Sequence, residues 1–295
     1  MVVLSLNRWR ADRLHEKAQR HSNSGMGDEA LRLYEKALAI DPDRSNTLYN
    51  IGLTYKYWRD WAKSLDFNAR AYALAPQDEA TRWNYAIAAT ALRDWKTARR
   101  LWAENGIEIE GDTGPIEMNF GQTPLRLNSD EDGEVVWGQR IDPVRARIES
   151  VPLPDSGFRY GDVVLHDGAA VGYRLLNGSK RAVFNVFEVF EPSSYGTFVV
   201  QIEVSDQSTL DKALAMAKVD DLEVEDWTRN IQILCRKCSE GLPHDEHDQE
   251  MPVEWQPEHR LGIAFRDHKS VDELLKRWEC HLPISVIESK LALNP

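Results

Sequence analysis

The sequence is poor in cysteine, with three in 295 residues, two of them in the Cys-x-x-Cys pair Cys235-Arg236-Lys237-Cys238. So few thiols argue against a disulfide framework and suit a reducing compartment, so a cytoplasmic protein is expected. Long apolar runs are missing as well: no stretch approaches the roughly 18 uninterrupted apolar residues of a membrane-spanning helix. At the N-terminus, Val2-Val3-Leu4-Ser5-Leu6 is too short for the apolar core of a secretory signal, and its charges, Arg8 and Arg10, follow rather than precede it. The familiar chemical signatures are absent too. There is no Gly-x-x-x-x-Gly-Lys-Ser/Thr loop, no Gly-x-Gly-x-x-Gly, no His-Glu-x-x-His and no Gly-x-Ser-x-Gly. His166 and Asp167 are neighbours at an expected strand end and point to opposite faces, so they form no dyad; the acidic pairs Asp220-Asp221 and Glu225-Asp226 are expected to face water. A non-catalytic protein is the first expectation.

What is present begins with charge. The formal net charge is −12. Residues 1–105 carry 17 Lys/Arg against 13 Asp/Glu, so the remainder sums to −16. Residues 219–258 alone hold 12 acidic side chains and three basic ones. Such a field repels nucleic acid and accelerates encounter with a basic protein. It also serves simply as a solvated surface.

The first third of the chain is periodic, with a repeat of about 34 residues. Writing Ala11–Arg44 above Ser45–Asp78 and Glu79–Asp112, three blocks of equal length, aligns Ala18, Gly52 and Ala86, then Ala30, Ser64 and Ala98, then Ala37 and Ala71, then Pro42 and Pro76. The turn Arg59-Asp60-Trp61 returns one block later as Arg93-Asp94-Trp95. Small residues at fixed places let paired antiparallel helices approach, and the prolines stop the second helix of each pair. Asp28, Asp60 and Asp94 are expected to cap those second helices.

This pattern resembles the tetratricopeptide repeat family over residues 11–105. The first repeat departs at its turn, Gly25-Met26-Gly27, and the third has Asn105 where an alanine is usual. The resemblance implies a helical solenoid that holds a protein or peptide in a groove lined by the first helix of each pair. By position that groove presents His15, Gln19, Tyr49, Asn50, Leu53, Tyr57, Trp83, Asn84 and Ile87. Asn50 and Asn84 occupy equivalent places and suit an extended peptide backbone, with Tyr49 and Trp83 supplying apolar area. The family's Lys/Asn/Lys/Arg clamp for a C-terminal carboxylate is not there: His15, Gln19, Ala80 and Asn84 fill most of its places, so chaperone-tail binding is not expected. The groove is filled either by an external partner or by the chain's own C-terminal part.

Beyond Gly111 the apolar period shortens to two. Val135/Trp137, Val144/Ala146/Ile148 and Val163/Leu165 mark half-buried strands, and Asp132-Gly133, Asp167-Gly168 and Asn177-Gly178 suit hairpin turns. Residues 124–191 therefore predict a small antiparallel sheet or barrel. From Tyr195 a strand-helix-strand order occurs twice: strand 197–204, a helix opened by the capping box Ser208-Thr209-Leu210-Asp211, strand 227–234, strand 261–265, a helix opened by Ser270-Val271-Asp272-Glu273, and strand 284–289. That order predicts a ferredoxin-like split βαβ domain. The expected organisation is a multidomain α plus α/β chain: a helical repeat domain over 1–110, a β-rich domain over 111–192 and an α+β domain over 193–295.

The last domain is interrupted by Cys235, Cys238, His244 and His247, whose types and spacing suit a structural zinc knuckle, with His259, Cys280 or His281 able to replace one ligand. If four ligands close the site, the metal is structural. The expectation is an adaptor that grips a protein in the repeat groove and offers an acidic second surface, for example an immunity protein neutralising a basic nuclease toxin. The alternative is a zinc-dependent hydrolase or transferase with the repeat as docking arm. RNA binding by the mildly basic repeat is a third, disfavoured by the net charge.

Overall fold

The computed structural model describes residues 2–129, 133–176, 178–219, 222–228 and 255–295. The chain divides into two compact units, Met1–Met118 and Asn119–Pro295.

The first unit is three helix pairs: α1 (Val2–Asn23) with α2 (Gly27–Ile40), α3 (Ser45–Tyr57) with α4 (Trp61–Leu74), and α5 (Glu79–Ala91) with α6 (Trp95–Glu104). The aligned small residues are the contact points: Ala18, Ala86, Ala30, Ser64, Ala98, Ala37 and Ala71 are all 0% exposed. At Gly52 a Cβ would run into the buried Asn68 amide, so that position has no room for alanine. The inter-helix turn is the same structure three times. Gly25, Arg59 and Arg93 hold equivalent places in the three repeats, and their φ values are 76°, 59° and 60°. The following amide reaches back five residues: Met26 N–H to His21 O (2.9 Å), Asp60 N–H to Tyr55 O (3.0 Å) and Asp94 N–H to Ala89 O (2.9 Å). This is the left-handed helix stop that satisfies orphan carbonyls. Asp60 and Asp94 then cap α4 and α6 by accepting from Lys63 and Thr97 amides, both at 3.2 Å. Asp28 does not do this. The cap position of α2 is Met26, without a side-chain bond, and Asp28 sits in the first turn, where its charge meets the positive helix end. Met26 is the counterpart of Asp60 and Asp94, so the aspartate of repeat one falls inside the helix rather than at its cap.

Trp102 is fully buried in the third pair and donates to Thr90 Oγ1 (3.2 Å). Asn105, out of pattern for the repeat, is explained by its bonds: its amide donates to Leu101 O (2.9 Å) and its oxygen accepts from Arg82 Nε (3.1 Å). Arg99 fastens the segment after α6 by donating to the carbonyls of Glu110, Gly111, Gly114 and Pro115 at 2.7–2.9 Å.

The second unit holds a barrel and a sheet. Strands β1 (Gln122–Arg126), β2 (Val135–Arg140), β3 (Arg145–Ile148), β4 (Val163–Leu176) and β5 (Ser179–Glu191) close on themselves, with β1 parallel to β5. Leu125, Leu127, Val136, Ala146, Ile148, Phe158, Val164 and Val186 form its core. The turn at Gly178 (φ +76°) joins β4 to β5, with Leu176 opposite Ser179. Asp167-Gly168, expected as a second hairpin, is no turn. It lies inside the long strand β4, where the register with β5 shifts between His166 and Ala170, so the glycine marks a bulge.

Strands β6 (Gly196–Val204), β7 (Glu223–Asp226), β8 (Glu258–Phe265) and β9 (Ile284–Leu293) form an antiparallel sheet in the order β7-β8-β6-β9. Helices α7 (Gln207–Val219) and α8 (His268–His281) pack on one face, Leu210, Ala213, Leu274 and Trp278 against Val200, Ile202, Leu261 and Ile263. Both capping boxes are misplaced by the sequence: Asp206 accepts from Thr209 N–H (3.0 Å) and Asp267 caps α8 by accepting from Lys269 N–H (3.2 Å), so each helix begins before the expected serine. Of the strand expected at 227–234, only Trp227 and Thr228 are described. The ladder is β7 at 223–226, and Trp227 and Thr228 are already helical; the residues beyond lie outside the described ones.

The barrel packs on the other sheet face. Val151, Val199, Trp227 and Ala264 share a core, and the Trp227 indole lies on Gly262, where a Cβ would collide with it. Trp227 Nε1 donates to Val151 O (2.8 Å) and Val151 N–H donates to a Glu225 carboxylate oxygen (2.7 Å). Among the described residues no helix is long and apolar enough to cross a membrane.

Candidate partner-binding face and polar clusters

The expected groove residues divide into two groups. On α3, Asn50 and Leu53 are half-buried and Tyr57 is 56% exposed. Spaced three and four residues apart, they share one helix face. Gln19, equivalent to Leu53 one repeat earlier, is exposed, and Tyr49 is half-buried. The sequence missed Lys56, buried to 3% exposure, whose Nζ stands 4.6 Å from the Tyr57 ring centroid. A lysine is read as a surface residue, and only the packed fold reveals otherwise.

The other residues build the solenoid itself. His15 is buried, its Nδ1 2.9 Å from Thr47 Oγ1 and its ring tilted 5.4 Å from Tyr34. Burial, and then the Arg44 guanidinium, hold its pKa below the ordinary value. Arg44 in turn donates to Asp12 (2.6 Å) and Thr47 (3.2 Å), tying α1 to the start of α3. Trp83 is half-buried, edge-on to Trp102 at 4.9 Å; Asn84 is 5% exposed and Ile87 0%. His15, Asn84 and Ile87 therefore present little or no surface.

No family model and no curated protein matches the chain. Solved structures do. The first unit is similar to tetratricopeptide repeat (TPR) domains. The first TPR of Spaghetti (RPAP3), bound to an HSP90 peptide SRMEEVD, is 23% identical, matching 33% of this chain and 77% of that one at a TM-score of 0.32. The second TPR of the same protein, bound to the same peptide, is 14% identical over 35% of this chain and 94% of that one, at 0.34. The Sgt2 TPR domain from Aspergillus fumigatus is 20% identical over 32% and 63%, at 0.31.

Of the acidic pairs expected to face water, Asp220 and Asp221 lie outside the described residues, and Glu225 and Asp226 are engaged. Asp226 Oδ2 lies 2.8 Å from His259 Nδ1, with both side chains buried. Glu225 holds the Val151 amide, as above. Glu134 accepts from Leu153 N–H (3.1 Å), and burial, reinforced by the Glu225 charge, raises its pKa to about 7. His166 is fully buried in the barrel, stacked 4.9 Å from Phe184, its Nδ1 bonded to the Asp167 carbonyl rather than to the carboxylate. Desolvation, then Arg140, pushes it down to about 3, so it is neutral throughout the physiological range.

Cys235, Cys238, His244 and His247 lie outside the described residues. Of the substitute ligands, His259 is held by Asp226 and Cys280 is exposed on α8. Among the described residues no group of three or more His, Cys, Asp or Glu could hold a metal.

Proposed function

We propose that the helical unit is an adaptor that holds a protein or peptide along the face carrying Gln19, Asn50, Leu53 and Tyr57. The observation that carries it is Tyr57, which stays 56% exposed although it is a large ring on the inner helix of the central pair. Large exposed aromatics beside hydrogen-bonding amides are the composition of an interaction face. The carboxylate-clamp positions hold His15, Gln19, Ala80 and Asn84, so the occupant differs in chemistry from the HSP90 peptide bound by the similar domains. Affinity purification from the source cells tests this, comparing wild type with Asn50→Ala/Tyr57→Ala. Loss of one specific prey supports the face; an unchanged set of prey removes it.

The −16 balance after residue 105 favours a basic partner, and an immunity-type role against a basic toxin follows as the finer version of this function. Binding that weakens steeply between low and high salt supports it; salt-insensitive capture speaks against it. The order β7-β8-β6-β9, antiparallel throughout with two covering helices, supports a ferredoxin-like split βαβ arrangement for the C-terminal sheet. For Cys235, Cys238, His244 and His247 we keep a structural zinc, on ligand type and spacing alone. One equivalent of zinc in purified protein, lost in Cys235→Ser/Cys238→Ser, is the expected result, and metal-free protein after zinc supplementation is the contrary one.

A further inference from the structure

We propose that β9 is a self-pairing edge, through which two copies of the chain join antiparallel about Ser289. β9 bonds to β6 on one side, and among the described residues no strand lies on its other side. Its outer stretch is exposed from Glu288 to Leu291, and Ile287 before it is exposed as well. Two apolar side chains stand out of it, Ile287 at 50% and Leu291 at 43% exposure. Between them, Glu288 and Lys290 share one strand face, with Nζ 3.8 Å from Oε1 and both side chains about 60% exposed. The ladder with β6 is unbroken from Glu288 to Leu291, and the register shifts lie at either end of that run.

This order is a palindrome of chemistry. With Ser289 opposite Ser289 of a second copy, Glu288 meets Lys290 twice by symmetry, while Ile287, the extra residue of the bulge beside the run, lies next to Leu291 outside the regular ladder. Neighbouring registers are penalised: centring on Glu288 sets two carboxylates opposite each other, and centring on Lys290 sets two ammonium groups opposite. An unrelated extended peptide would meet only half of these complementary pairs. The occupant that fits both the charges and the apolar groups is the strand itself. The bulges flanking the run keep the paired segment short, which limits edge addition to a dimer rather than a growing sheet.

Sedimentation equilibrium on the full chain, with oxidative trapping, tests the register. Wild type forms a reversible dimer over roughly 1–100 µM, the range expected of a short interface. Glu288→Lys and Lys290→Glu alone each weaken it about tenfold by setting like charges opposite. Glu288→Lys/Lys290→Glu together restore it. In a Cys280→Ser background, Ser289→Cys links the two copies on oxidation, because opposed Cα atoms about 4.5–5.5 Å apart fall within disulfide reach, and Ser285→Cys does not. A monomer at all these concentrations, a dimer indifferent to both single reversals, or a double variant that stays weak overturns the proposal, as does dimerisation without the Ser289→Cys link. Strand capture of another protein at this edge, with no self-association, also overturns it.

Discussion

At the residue scale, the second unit depends on a few buried charges. Asp142 and Arg145 are both fully buried and paired, and Asp142 also accepts from the amides of Val144 (2.7 Å) and Arg145 (2.6 Å). Removing the carboxylate takes away the fully buried ion-pair partner of the Arg145 guanidinium, so Asp142→Ala is expected to cost about 3–5 kcal/mol, read from the denaturant midpoint. His166 and Glu134 give that unit a pH profile. His166 is depressed, so its contribution is complete above 6.5 and is lost as pH falls toward 3. Glu134 is raised, so its contribution is complete below 4.5 and is lost as pH climbs through about 7. Stability should therefore crest in mildly acidic solution. Glu134→Gln should raise the denaturation midpoint at pH 8 and leave it nearly unchanged at pH 5; an equal gain at both values contradicts the assignment.

At the scale of elements, the repeat turn shows what pattern reasoning can see. The block alignment located the helix pairs, the small contact residues and two of the three aspartate caps, because each rests on local chemistry that recurs. Arg59 and Arg93 were legible only as part of a repeated string. Their left-handed backbone, at φ 59° and 60°, was not, since arginine seldom adopts it and glycine holds the equivalent place in the first repeat. Arg59→Gly is expected to stabilise the helical unit by about 1 kcal/mol, measured by loss of helical dichroism in urea. The capping boxes at Ser208 and Ser270 failed for a related reason. An aspartate just upstream reaches the first free amides before the serine can, as Asp206 and Asp267 do. Position within a repeat does not report burial, so the groove list mixes exposed and buried side chains. His15 and Ile87 have the right spacing for a face and yet serve the packing between helices.

At the scale of the molecule, periodicity of two revealed strands but not how they close. Barrel closure needs β1 beside β5, a pairing between distant parts of the chain that no local signal announces, and the parallel match of Leu125 with Phe184 is visible only in the fold. The same holds for the joint between barrel and sheet. Trp227, expected in a strand, instead lays its indole across Gly262 and bonds Val151. Gly262→Ala should force that ring away and cost about 1–3 kcal/mol, with a lowered midpoint for the second unit and unchanged helical content in the first.

The ring of five strands has no first or last member. Each strand along its circumference is flanked on both sides, so a wandering strand finds no template there. Among the described residues of the second unit, the open sheet alone offers unpaired rims, at β7 and β9. With β9 taken up by a second copy, clumping by strand addition under mild destabilisation should therefore begin at β7, while hydrogen–deuterium exchange still finds the barrel shut.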